Sequence, residues 1–510
     1  MKIQLFYAAS SKSHIGEEFL GINRIYAHLQ LKNIDCVLTE LFHDVDINAQ
    51  YEKIDLSCEF FGFSIFSDSA DFIYKFSDYI KTSIPNSVIF FGSIFASNCF
   101  NLIFNDCNSV DIIVLGQGEK PLEDFFTSKA NSIDEIVKTH KNLVSRKYYQ
   151  GKEFCDLDIN SLCLPSREIL RSKRSLIADL ITKHGCAGNC SFCSVREKKS
   201  YRSAASIFNE IIDIYKTTGV RCFNISDPSF EDYRTNGKKI IDTLCDSILE
   251  YGVKFSFRCF IRADSFKKED TKLLLKMKKA GFNNIFIGVE AANNNDLKIF
   301  KKRATKDDNY KILELLNEVG IEPKYGFIMI NPYSTYESLY ENFEFLDHFR
   351  CADLSAYINC LEIYYNSDIY KKLEQDGMLS ESYSYINNLL GYKFIDEFAK
   401  NVFEFIRNKF TNSEVTHAVS DYHNFVYMLS YMAPLLGSEA EYFEEQKRMM
   451  DAELYRAHND YFSDIYIRKD LISAEKKFTE YASVINGIHI NAFKHINGMI
   501  RKYIKLKGVI

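Results

Sequence analysis

The chain contains no tryptophan, although 42 phenylalanines and 32 tyrosines keep aromatics at 15% of its 510 residues. That skew points to no particular chemistry. It also lacks any apolar run near the roughly 20 residues that a membrane-spanning helix needs; stretches such as Val88–Phe91 end after a few residues. Met1–Ala8 carries one lysine and then a strand-like alternation with no long apolar segment, so no secretory leader is expected. Positive charge is not in excess: 63 Lys and Arg against 69 Asp and Glu give a formal net charge of -6, so no polyanionic partner is expected. Internal repeats and low-complexity tracts are missing too. Fourteen cysteines spread over this length do not resemble a small secreted disulfide scaffold. These absences leave the cytoplasm as the expected compartment, with neither membrane nor nucleic acid as partner.

What is there reads as a globular α/β protein, 46% apolar and 26% charged, too long for one core. Residues 1–126 alternate short strands (Lys2–Ala8, Ile34–Glu40, Phe60–Phe66, Ser87–Phe91, Asp111–Leu115) with amphipathic segments at Gly21–Leu31 and Asp71–Ser83. That pattern predicts a flavodoxin-like doubly wound sheet, whose ligands bind beyond the carboxyl ends of its strands. The loops at those ends are Ala9–Gly16, Phe66–Asp71, Gly92–Ser97 and Gly116–Lys120. Residues 127–172 are more polar and read as a linker. Residues 173–380 predict a partial (β/α)6 barrel, with strands at Leu176–Lys183, Arg221–Ser226, Lys254–Phe260, Asn284–Val289, Lys324–Ile330 and Ala356–Ile363. Residues 381–510 read as a mostly helical C-terminal domain.

The chemistry sits in Cys186-Ala-Gly-Asn-Cys190-Ser-Phe-Cys193, after the first barrel strand. Thiolates are the usual ligands of iron–sulfur clusters. Three of them on a four-iron cluster leave one iron open to a substrate or cofactor. A zinc site would want a second cysteine pair or histidines a dozen or more residues on; Cys163, Cys222 and His184 stand alone. Chance clustering in a core is disfavoured because Gly185, Gly188 and Asn189 make this a loop.

The CxxxCxxC spacing, with an aromatic just before the last cysteine, resembles the radical S-adenosylmethionine (SAM) superfamily. The resemblance implies a [4Fe-4S] cluster on Cys186, Cys190 and Cys193, SAM chelating the open iron, and reductive cleavage to a 5′-deoxyadenosyl radical. It also implies an external electron donor of the flavodoxin or ferredoxin kind. Phe255–Arg258 with Arg262 resembles the superfamily's third strand and Gly288-Val289-Glu290 its fourth, which makes Ser256, Arg262 and Glu290 candidate SAM contacts. Asp227 matches a recurrent acidic position at the barrel mouth and is a candidate catalytic residue. The N-terminal segments Phe61–Ser64, Gly92-Ser93 and Gly116-Gln117-Gly118-Glu119 resemble the cobalamin-binding domain that precedes many such barrels. Gly92, Ser93, Gly116, Gly118 and Glu119 are the positions carried over, although Ser93 replaces the usual second glycine. The cobalt-ligating Asp-x-His-x-x-Gly motif is absent.

Three functional readings follow. The first is a cobalamin-dependent methyltransferase that acts on an unactivated carbon or phosphorus of a peptide or natural product. The second is a non-methylating radical enzyme, an epimerase or deoxygenating enzyme, in which Cys360 returns a hydrogen atom from the sixth barrel strand. The third is a non-catalytic cluster or cobalamin sensor or scaffold, against which the intact triplet and the SAM-like strands argue.

Overall fold

The computed structural model describes all residues except 12–17, 131, 174, 196–197, 232–235, 387–390, 412 and 507–510. Two sheets organise it, both parallel except for one edge strand of the first. The first has strand order β2-β1-β3-β4-β5-β6: β1 Lys2–Ala9, β2 Asp35–Phe42, β3 Phe60–Ser64, β4 Val88–Gly92, β5 Ile112–Val114 and β6 Leu143–Val144. The first five pair in parallel, and β6 pairs antiparallel with β5. Buried on both faces, the strands β3 and β4 read as near-continuous apolar runs, Phe-Phe-Gly-Phe and Val-Ile-Phe-Phe. Their rings interlock, with Phe6 stacked on Phe63 and Phe63 edge-on to Phe91.

Two sequence expectations change here. The stretch read as a linker supplies β6, so the first sheet extends to Val144. The stretch read as the loop Gly92–Ser97 enters a helix at Ile94 that runs to Asp106. Its start is set by Ser93, whose hydroxyl accepts from the Ala96 N–H at 3.0 Å, an N-cap that outweighs an apolar sequence with weak helical periodicity. The Ala9–Gly16 loop falls largely outside the described residues.

The second sheet has five strands, β7 Ile177–Leu180, β10 Cys222–Ile225, β11 Ser256–Arg262, β12 Phe282–Glu290 and β13 Pro323–Phe327, in the order β13-β12-β11-β10-β7. A short hairpin, β8 Lys183–His184 with β9 Ser200–Tyr201, caps the carboxyl end of β7. Helices follow the barrel strands as expected, at Ala204–Thr218, Gly237–Tyr251, Thr271–Ala280, Lys306–Glu318 and Tyr336–His348. The predicted sixth strand is instead a helix, Leu354–Ile358, followed by a single bridge between Ile330 and Cys360. Asp353 explains the difference: its carboxylate accepts from the Ser355 N–H at 2.8 Å and starts a helical turn. The C-terminal region is helical, with long helices Glu414–Leu436, Glu439–Tyr466 and Leu471–Leu506, the first of which packs against β11 and β12 at the amino-terminal end of the barrel. No helix among the described residues is long and apolar enough to cross a membrane.

Candidate functional site

The cysteine loop leaves β8 and is pinned at its centre. Ser191 gives its N–H to the Phe300 carbonyl at 2.9 Å and its hydroxyl to the Ile299 carbonyl at 2.8 Å. Phe192 packs edge-on against Phe300, 5.6 Å between centroids. Anchored this way, the loop donates backbone N–H groups to its own sulfurs, Gly188 to Cys186 Sγ at 3.3 Å and Val195 to Cys193 Sγ at 3.4 Å. A side chain on Gly188 would stand 3.4 Å from Cys186 Sγ and 3.8 Å from Cys190 Sγ, so glycine keeps the space between these two thiols open. Among the described residues no three thiol, imidazole or carboxylate groups close on one point as a single-ion site. Three thiols, sulfur-directed N–H donors and a glycine-cleared space between two sulfurs fit a thiolate-held cluster. Burial pushes the Cys190 thiol up to about 11, while the nearby Lys302 ammonium draws it down. Binding therefore has to release a proton from it.

Around this loop lie the carboxyl ends of β10, β11 and β12. Arg262, the last residue of β11, passes its Cδ within 3.8 Å of the Gly188 position. Its guanidinium meets Asp264 at 3.0 Å and Glu231 at 3.6 Å. Glu231 is fully buried, and burial lifts its carboxyl to about 7 against the pull of Arg262. Glu290 closes β12 with φ of 70°, a left-handed backbone unusual for glutamate, where the register with β13 shifts. It lies 3.6 Å from Lys302, and burial raises its carboxyl. Arg262 and Glu290 thus stand beside the cysteine loop.

Two other expected positions do not. Ser256 is the first residue of β11, at the opposite end of the sheet, and its hydroxyl donates to the Ser430 carbonyl at 3.1 Å. Ser256 seats a C-terminal helix. The strand lies where the sequence puts it, but its direction leaves position 256 at the closed end. Asp227 follows β10 as expected, yet its carboxylate is fully buried and turned inward. It accepts from the Thr182 N–H at 2.8 Å, the Thr182 hydroxyl and the Lys183 N–H at 3.3 Å. Asp227 fixes the turn between β7 and β8.

The loops of the first sheet meet the barrel across a cavity of about 520 Å³, within the range of small-molecule and cofactor sites. Gly62, Gly92, Gly116 and Gly118 line its floor, while Lys183, Ser226 and Pro228 line the barrel side. Beyond Gly92 the nearest side-chain atom is 3.9 Å from where a Cβ would stand, so that glycine keeps the floor open. Gly116 has another duty. Its φ is 78°, and a Cβ would collide with the Cys155 carbonyl at 2.3 Å, so it admits the crossing chain. Ser93 is a helix cap that also donates to the Ile65 carbonyl. Glu119 opens the next helix, Glu119–Thr127, buried 4.0 Å from Arg24. A glycine-cleared, apolar floor at strand carboxyl ends fits a flat macrocyclic cofactor. It offers no imidazole from an Asp-x-His-x-x-Gly motif.

Sequence reasoning missed His184. Gln117 of the glycine turn donates to His184 Nδ1 at 2.8 Å, tying the first sheet to the cysteine loop. Burial and Arg24 lower the imidazole to about 4, so it is neutral at ordinary pH. Only its place two residues before Cys186 could have signalled this. Two more cavities adjoin. One, of about 710 Å³, is lined by Cys193, Glu290, Cys360 and Arg407; the other, of about 650 Å³, by Phe66, Phe95, Tyr364, Tyr365 and Tyr385. Ser194, next to Cys193, lines all three. Cys360 thus reaches a cavity wall although no strand places it there, and burial pushes its thiol up to about 12.

Residues 180–346 match the model of the Radical SAM superfamily. The chain is 27% identical over 293 residues to an anaerobic magnesium-protoporphyrin IX monomethyl ester cyclase of Cereibacter sphaeroides, covering 53% of this chain and 47% of that protein. It is 28% identical over 368 residues to a 4′-phospho-dehydrooxetanocin synthase of Priestia megaterium, covering 66% and 48%. The chain spans about half the length of the curated relatives it matches. In fold it is similar to the cobalamin-dependent SAM radical enzyme OxsB with aqua-cobalamin and SAM bound, with a TM-score of 0.70 at 16% identity over 100% of this chain and 81% of that one.

Proposed function

Starting from residues 180–346 being a radical SAM domain, we propose that the protein is a cobalamin-dependent radical SAM enzyme acting on a small molecule or peptide. The observation that carries this reading is the 520 Å³ cavity, which joins the glycine floor of the first sheet to the roof formed by Lys183 and the strand ends beside the cysteine loop. A cluster on Cys186, Cys190 and Cys193 would supply reductive cleavage of SAM when bound, fed by an external donor of the flavodoxin or ferredoxin kind. The chain's own part is to position and to exclude water. Arg262 and Glu290 flank the open side of the loop, His184 and Gln117 fix the distance between the two sheets, and Asp227 holds the β7–β8 turn.

Of the reactions open to such a site we put methyl transfer first, because a corrin floor opening directly onto the radical site is what that reaction requires. Anaerobically reconstituted protein with iron, sulfide and cobalamin, given SAM and reductant, should form 5′-deoxyadenosine, and S-adenosylhomocysteine once substrate is present. Methyl-deuterated SAM should pass its label to the product. A product without label, formed with one SAM consumed, would move the assignment to the second reading. That reading rests on Cys360, whose thiol stays protonated and lines the same cavity as Cys193 and Glu290. Deuterium would then enter from solvent, since thiol hydrogens exchange, and Cys360→Ala would keep forming 5′-deoxyadenosine while losing product.

A further inference from the structure

The helix Glu397–Phe410 turns Ala399, Val402, Ile406 and Phe410 inward, as an amphipathic helix does. Arg407 stands beside that stripe. It follows Phe403 by one turn, and the Phe403 ring packs 5.5 Å from that of Tyr392. Burial raises the Cys360 thiol and the Tyr392 hydroxyl, and the Arg407 charge draws both back, so the guanidinium lies on the inner side of the helix. The basic neighbours on this helix are paired, Lys400 with Glu397 at 3.4 Å and Lys409 with Glu475. The Arg407 guanidinium has neither hydrogen bond nor ion pair among the described residues.

Its donors are open. Arg407 is partly exposed, none of its nitrogens is sealed from solvent, and it lines the 710 Å³ cavity with its neighbours Ile406, Phe410 and Thr411. Cys193 and Glu290 line the same cavity, and Ser194 joins it to the 520 Å³ one. The other charged groups on this wall are engaged: Glu290 faces Lys302 at 3.6 Å, and Glu362 accepts from the Tyr364 hydroxyl at 2.6 Å. Much of the rest is apolar, with Phe286, Phe327, Ile328 and Ile358. A guanidinium offers a planar fork of N–H donors that meets a carboxylate in two parallel bonds. A phosphate carries nearly two charges, and the described lining residues hold no second cation to answer it.

We propose that Arg407 holds a carboxylate of the substrate in this cavity, so that the substrate is a carboxylate-bearing molecule with an apolar body. The inference rests on the cysteine loop being a radical SAM centre, which makes this cavity its substrate side. SAM also carries a carboxylate, and the test separates the two sources.

Cluster-reconstituted full-length protein is titrated with para-fluorophenylpropanoate and with the corresponding neutral amide, both followed by fluorine line broadening, and with SAM by equilibrium dialysis. Wild type should bind the carboxylate at least about tenfold more tightly than the amide. Arg407→Met should erase that preference while amide and SAM binding stay within about twofold, and Arg407→Lys, with charge but no fork, should recover only part of it. A carboxylate that fails to bind wild type, binds no better than the amide, or binds Arg407→Met equally well overturns the proposal. So does a loss confined to SAM, or tighter Arg407-dependent binding of para-fluorophenyl phosphate. Parallel loss of all three ligands in both variants would make Arg407 a structural residue and overturn it too. A second readout needs no variant. Phenylglyoxal modifies accessible arginines, and the carboxylate, unlike the amide, should shield the peptide that carries Arg407; equal modification with either ligand counts against the assignment. Failure of the radical SAM reading shows separately, as no 5′-deoxyadenosine from SAM and reductant, and leaves the carboxylate titration unaffected.

Discussion

The two sheets meet at one cavity and furnish it differently. The carboxyl ends of the first present glycines, Gly62, Gly92, Gly116 and Gly118, with the Ser93 cap, and reach across through Gln117 to a neutral His184 on the barrel side. Those of the second place Ser226 and Pro228 on its wall and carry, off that wall, buried carboxyls at Asp227, Glu231 and Glu290 that burial holds above their ordinary range. One side offers shape and close backbone approach, the other keeps its charges buried beside the cavity. A floor of that kind suits a large flat ligand.

The most damaging way to break this comparison is to remove the cysteines. Changing Cys186, Cys190 and Cys193 together to Ala should take iron from about four per chain to none, and SAM cleavage with it. Stoichiometric zinc in wild type with no iron uptake would end the cluster assignment. The complementary break is on the floor. Gly118 stands 2.7 Å from Ile25 Cδ1 at the Cβ position, so Gly118→Phe must intrude on the helix or the cavity. Corrin absorbance should fall below a tenth of wild type while iron content is unchanged. Equal loss of both would mean that the two sides are not separable.

Much of this layout is legible in the sequence because its signals are local. Strand alternation, the cysteine spacing and the Gly116–Glu119 turn each depend on neighbours within a few residues. What escapes depends on direction or on single hydrogen bonds. Ser256 lies on an expected strand but at its closed end. Asp227 has the expected place and a different partner, Thr182. One cap each, Ser93 and Asp353, turns an expected loop and an expected strand into helices. His184 acquires its role only through Gln117, distant in the chain, which no periodicity reports.

A smaller effect is expected on the charged side alone. Arg262→Met should leave Glu231 buried without its guanidinium partner, which costs about 3–5 kcal/mol when a buried pair is broken. The urea midpoint should fall accordingly, while cobalamin binding by the folded fraction persists. An unchanged midpoint would show that the Arg262–Glu231 pair carries no stability.

The mildest test changes only how stability depends on pH. Burial raises the Asp227 carboxyl from 3.8 to about 6, against the hydrogen bonds from Thr182 and the field of Lys183. Between those values the unfolded chain has lost this proton and the folded chain retains it, so the folded state binds more protons. Stability contributed by the group is then fully present below about pH 4 and declines as pH rises towards 6. A rise of that size corresponds to about 3 kcal/mol at most. Asp227→Asn cannot titrate, and its weaker acceptor against Thr182 lowers stability by a fixed offset at every pH. The difference in unfolding free energy between wild type and Asp227→Asn, measured by urea at about pH 4.5 and about pH 7, should therefore shrink as pH rises, by on the order of 1–3 kcal/mol. Glu231, raised from 4.5 to about 7, slopes the same way in both proteins and cancels in that difference. Parallel curves would mean that Asp227 is ionised throughout, and that the turn carrying Lys183 is held by a carboxylate at every pH tested.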